Sequence, residues 1–114
     1  MSTIEATLAA HESRNRGLLE SLRSKGTDLF EKRPIDLHFW ATNNAGARAL
    51  AEALGKHGFG SIVVSGPSAS VAKWNVDAQL TGSIMEVTAV SFVERYATLA
   101  TEHSAEFDGW GTAV

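Results

Sequence analysis

The feature that most constrains this chain is a hydrophobic period that switches repeatedly along it. From Ile35 to Ala41 the residues Ile35, Leu37 and Phe39 alternate with Asp36, His38 and Trp40. A period of two predicts a strand with two unlike faces. From Ala45 to His57 the spacing lengthens to that of a helix through Ala47, Leu50, Ala51 and Leu54. Thr42 or Asn43 stands where an N-cap belongs, and Gly58 where a left-handed C-cap belongs. The short period returns in Phe59–Ser65 and Ser70–Leu80, which flank the turn sequence Gly66-Pro67-Ser68 and so predict a hairpin. Ser83 and Glu86 have the spacing of a capping box, and Met85, Ala89, Phe92, Tyr96 and Leu99 form the stripe of a helix ending near His103. Ala105 to Trp110 alternates once more and predicts a short last strand.

Ahead of these elements, Ile4 to Lys25 reads as a helix with Ile4, Leu8, Leu18 and Leu22 on one side, weakened at Asn15 and Gly17 and stopped by Gly26. Pro34 turns Arg33 away from helix and opens the first strand. The order is one helix and then βαββαβ. It predicts an α+β, ferredoxin-like fold: a four-stranded antiparallel sheet in the order 4-1-3-2 with two helices on one face. A length of 114 residues suits one domain, with the helix over about 3–26 and the ferredoxin-like core over about 35–112.

Composition removes several function classes. The chain has no cysteine, which excludes disulfides, thiolate zinc sites, iron–sulfur clusters and a Cys nucleophile. Its apolar runs fall far short of the roughly 20 residues that span a bilayer. Its start, Met-Ser-Thr-Ile-Glu, lacks the basic and then apolar pattern of a signal peptide, so a cytoplasmic location is expected. Residues 1–34 carry six Lys/Arg and five Asp/Glu, whereas residues 35–114 carry four (Arg48, Lys56, Lys73, Arg95) against eight acids. Nucleic-acid affinity comes largely from Lys and Arg neutralising phosphates, so direct nucleic-acid binding is not expected.

Alternation also assigns faces. If Leu37 and Phe39 point at the helices, so do Trp74, Val76 and Phe107. The other face then gathers Asp36, His38, Trp40, Lys73, Asn75, Asp77, Glu106, Asp108 and Trp110. It admits three readings. The N-terminal helix covers it and makes Trp40 or Trp110 core; it binds a protein segment rich in Arg or Lys; or it stacks RNA bases, a reading its acids oppose. Catalytic patterns are thin. Glu106 and Asp108 share a face and could work as a carboxylate pair, and His38 could act as a base, but acids on an edge strand and a lone strand histidine are usually polar surface. His11, His57 and His103 lack ligand spacing, the glycines Gly55, Gly58 and Gly60 follow a helix instead of preceding one, and no Gly-x-Ser-x-Gly occurs, so neither cofactor nor metal is expected.

The ending Glu106-Phe107-Asp108-Gly109-Trp110-Gly111-Thr112 resembles the terminal signature of the regulator of ribonuclease E activity B family. Lys25-Gly26-Thr27-Asp28-Leu29, Arg33-Pro34-Ile35-Asp36-Leu37-His38-Phe39 and Ala47-Arg48 to Leu54-Gly55-Gly58-Phe59 resemble its other segments in order, so the likeness covers roughly residues 18–114. The resemblance implies a ferredoxin-like, non-enzymatic protein that binds ribonuclease E and lowers its activity toward RNA. The residues allow a structural account of the ending as well, with Gly109 and Gly111 permitting close backbone approach and Trp110 supplying burial to a short strand. The expectation is a bacterial, protein-binding regulator of RNA metabolism, monomer or homodimer, whose partner is ribonuclease E or another basic RNA-processing protein. Its expected partner-binding residues are Asp36, His38, Trp40, Asp77, Glu106, Asp108 and Trp110. The competing class is a small-molecule enzyme of the dimeric ferredoxin-like barrel type, monooxygenase-like, with His38 and Trp40 lining an enclosed space.

Overall fold

A computed structural model describes residues 3–67 and 73–112. Its elements run α1 (Thr3–Ser24), β1 (Arg33–Ala41), α2 (Asn44–Lys56), β2 (Ser61–Ser65), β3 (Trp74–Gly82), α3 (Ile84–Val87), α4 (Val90–Glu102) and β4 (Ala105–Gly111). The strands form one antiparallel sheet in the order β2-β3-β1-β4, the expected α+β arrangement of a βαββαβ unit behind an additional helix. Ser68 and Ser70, at the expected hairpin turn, lie outside the described residues, as does the side chain of Ile4.

The buried set follows the strand period. Ile35, Leu37, Phe39, Val76 and Ala78 point at the helices and meet Ala47, Leu50 and Leu54 of α2 and Val93, Tyr96 and Ala100 of α4. Each Val, Leu, Ile or Phe among them taken fully from water contributes roughly 1.5–3 kcal/mol. Asn43 caps α2 by accepting from the Gly46 amide at 2.7 Å.

The structure corrects four expectations. Phe59 and Gly60 precede β2, because the Phe59 amide turns back to the Leu54 carbonyl and its ring packs edge-on against Tyr96. The third expected helix is two: the Ser83–Glu86 box starts α3, but Thr88 bonds its hydroxyl back to the Ile84 carbonyl and Ala89 is extended, which breaks the axis before α4. In α1 the buried stripe includes His11, Asn15 and Leu22, with Leu8 and Leu19 half-buried, whereas Leu18 is 40% exposed. Of the three readings of the open face, coverage by the N-terminal helix is not the one realised: α1 packs beside α4 on the helix side of the sheet, and among the described residues only Arg14 reaches over β4 at Gly109.

Trp110 was expected on that open face and lies on the helix side. Phe39 pairs with Phe107 but His38 pairs with Gly109, so Asp108 is an extra residue and β4 carries a bulge. One inserted residue reverses the alternation beyond it. Trp110 consequently stands opposite Leu37, packs against Leu22, Leu29 and Ile84, and donates its Nε1 proton to Asn15 Oδ1 at 2.9 Å.

Candidate functional site

The registers order the open face into rows across the sheet. Ser65, Asn75, Trp40 and Glu106 make one; Val63, Asp77, His38 and Gly109 the next; Ser61, Gln79, Asp36 and Gly111 the third. None of these side chains from β1, β2 or β3 is buried, and Glu106 and Asp108 are exposed. Asp36, His38, Trp40, Asp77 and Glu106 are therefore brought together, with Asp108 beside them at the bulge, while Trp110 turns to the helix side and meets His38 and Asp108 only at a depression of about 110 Å³ on the β4 edge, which Arg14 also lines.

Two of the carboxylates are engaged within the face. Asp77 Oδ1 accepts from His38 Nδ1 at 2.6 Å and its Oδ2 from Asn75 at 3.3 Å, while Asp36 accepts from Gln79 at 3.2 Å. A carboxylate can only accept, so Nδ1 carries the imidazole proton. A Cβ on Gly111 would stand 3.5 Å from His38 Nε2, which places the ring over β4. Among the described residues, Glu106 and Asp108 have no hydrogen-bond or ion-pair partner; the basic side chains near them are Lys73, beside Glu106, and Arg14, which shares a depression with Asp108 and His38. An open depression of about 230 Å³ lies between Trp40, Lys73 and Glu106. The face can present negative charge and one aromatic ring to a cationic surface.

A second polar group, which the helical pattern had not singled out, joins α1 to β4. His11 is 3% exposed and stacks on the Phe107 ring at 4.8 Å. Its Nε2 lies 2.9 Å from the Phe107 carbonyl, which only accepts, and its Nδ1 lies 3.3 Å from Arg14 Nη2, which only donates. Both partners require the neutral ring with its proton on Nε2. Burial first, and the Arg14 charge after it, hold the His11 pKa below its ordinary 6.5, against the opposing pull of the Phe107 carbonyl and Asp108. Arg14 also crosses Gly109, where a Cβ would stand in ordinary contact 3.4 Å from the guanidinium and where the φ of 149° is what disfavours a side chain. The signal for this seam was present in the sequence, since Leu8, His11, Asn15, Leu19 and Leu22 recur at intervals of three and four.

None of the curated proteins compared with the chain matches it. The family model described as Regulator of ribonuclease activity B matches residues 12–112, a span that takes in most of α1, the entire sheet and the bulged ending. The chain therefore belongs to the Regulator of ribonuclease activity B family.

Proposed function

We propose that this protein regulates RNA processing and decay without catalysis, by binding a protein partner, ribonuclease E or another basic RNA-processing protein. The family concerns regulation of ribonuclease activity. One observation carries the finer reading: Asp36, Asp77, Glu106 and Asp108 lie on three neighbouring strands, with Lys73 and, at the β4 edge, Arg14 as the basic side chains beside them among the described residues. Clustered carboxylates raise the local negative potential above what the net charge of −3 gives. A basic segment that an RNA-processing enzyme uses to hold RNA then has a competing seat, and occupying it inhibits with no reacting group on this chain. The protein acts in the cytoplasm as a monomer or homodimer, with residues 1–114 as one folding unit. The barrel-enzyme alternative calls for an enclosed apolar space around His38 and Trp40. An open depression flanked by Lys73 and Glu106 favours the binding reading instead.

The test is the double variant Glu106→Gln/Asp108→Asn against purified ribonuclease E, with association followed by stopped flow at low and moderate salt. Exposed charges contribute about 0.2–1 kcal/mol each, so association should slow several-fold at low salt and its salt dependence should flatten. Unchanged rates with an unchanged salt slope would remove the acidic face from the mechanism.

A further inference from the structure

Trp40 and Glu106 stand directly opposite each other on β1 and β4, on the uncovered side of the sheet. Directly opposed residues hold their Cβ atoms about 4.5–5.5 Å apart, close enough for one ligand group to touch both side chains. The Trp40 ring is half-buried yet belongs to neither apolar cluster and stacks on no other ring among the described residues. Neither its indole N–H nor the Glu106 carboxylate is hydrogen-bonded among those residues. The depression of about 230 Å³ opens between them.

We propose that this depression is a seat for an arginine side chain of the partner, with the guanidinium lying on the Trp40 indole and bonded to Glu106. The inference rests on the reading that a basic segment occupies this face, and it adds which basic residue is selected. A guanidinium is flat, weakly hydrated and forked, so it stacks on an indole and offers a carboxylate two parallel N–H donors. An ammonium is compact and strongly hydrated and gains less from either group. Lys73, exposed at the rim, repels both cations alike, so the ring and the Glu106 carboxylate decide between them.

The experiment titrates the full chain with hexa-arginine and with hexa-lysine at low salt. Calorimetry supplies the affinity, and the indole N–H resonances locate the contact. Hexa-arginine should bind roughly two- to fivefold more tightly per seated side chain. It should shift the Trp40 indole signal while leaving those of Trp74 and Trp110 in place. Trp40→Leu should reduce the preference to what the Glu106 carboxylate alone gives, and Trp40→Leu/Glu106→Gln should leave the two peptides equal. Equal binding of both peptides to the unaltered chain would overturn the seat and leave the acidic face standing. A preference undiminished in Trp40→Leu would overturn it too. Binding of neither peptide would remove the acidic-face reading together with the seat. Should Trp40→Leu fail to fold, the comparison on the unaltered chain still decides.

Discussion

His11 shows how a single side chain can fasten a helix to a sheet and make the joint depend on pH. In the folded chain it is neutral by necessity, since the Phe107 carbonyl takes its one proton and Arg14 supplies the bond to its other nitrogen. Unfolded, the ring binds a proton near 6.5; folded, its pKa lies lower. Above 6.5 both states are neutral and the contribution of His11 to stability is whole. As the pH falls below that value the unfolded chain takes up the proton first, and stability is lost until the native pKa is reached. His11→Gln keeps a donor near the Phe107 carbonyl but binds no proton. It should cost roughly 1 kcal/mol at neutral pH. Melting temperatures measured between about pH 7 and about pH 5 should then fall less steeply for the variant than for the unaltered chain. Parallel curves would show that His11 does not set the acid limb. At this scale the sequence was only partly legible: the stripe spacing includes His11 and Asn15, yet a polar residue at a stripe position looks like surface until its bonding partner 95 or so positions away is known.

Single glycines decide how elements meet. A Cβ on Gly46, in the first turn of α2, would lie 2.6 Å from the His103 carbonyl oxygen at the end of α4. Gly55, near the other end of the same helix, would place its Cβ 3.8 Å from the Ile62 side chain, an ordinary contact. Helix propensity favours alanine over glycine by about 0.8–1 kcal/mol at either position. Gly55→Ala should therefore stabilise the chain, whereas Gly46→Ala forces backbone apart and should destabilise it by roughly 1–3 kcal/mol. Urea denaturation of the two variants gives the opposite signs directly; equal stabilisation by both would refute the close approach. The elements were legible in kind and order because their periods differ. Their joints were less so. The break at Thr88 and Ala89 has no proline or glycine to announce it. The bulge at Asp108 is foreshadowed only by Gly109 within a strand, a residue that often marks one. That missed residue moved Trp110 from the expected binding face to the α1 seam, while Asp36, His38, Trp40, Asp77 and Glu106 kept the side that alternation gave them.

At the scale of the whole molecule, the sheet separates two kinds of chemistry: a layer of helices over the apolar core on one side, and carboxylates facing solvent on the other. Its two margins differ as well. Beside β4 the side chains of α1 reach the strand, with His11 on the Phe107 carbonyl and Arg14 over Gly109. Beyond β2, among the described residues, no backbone group of Ser61–Ser65 is bonded outside the ladder with β3, and Val63 is 54% exposed. An edge of this kind is a template for another strand, and a guarded one is not. Copies that add strand to strand would therefore join through β2, and the product would have a guarded margin at each end. Association of this kind should terminate at two copies instead of propagating into a filament. Sedimentation at rising concentration should show monomer and at most dimer, with Ser61–Ser65 amides newly shielded from hydrogen exchange in the dimer; a ladder of larger species would mean that the α1 guard on β4 gives way.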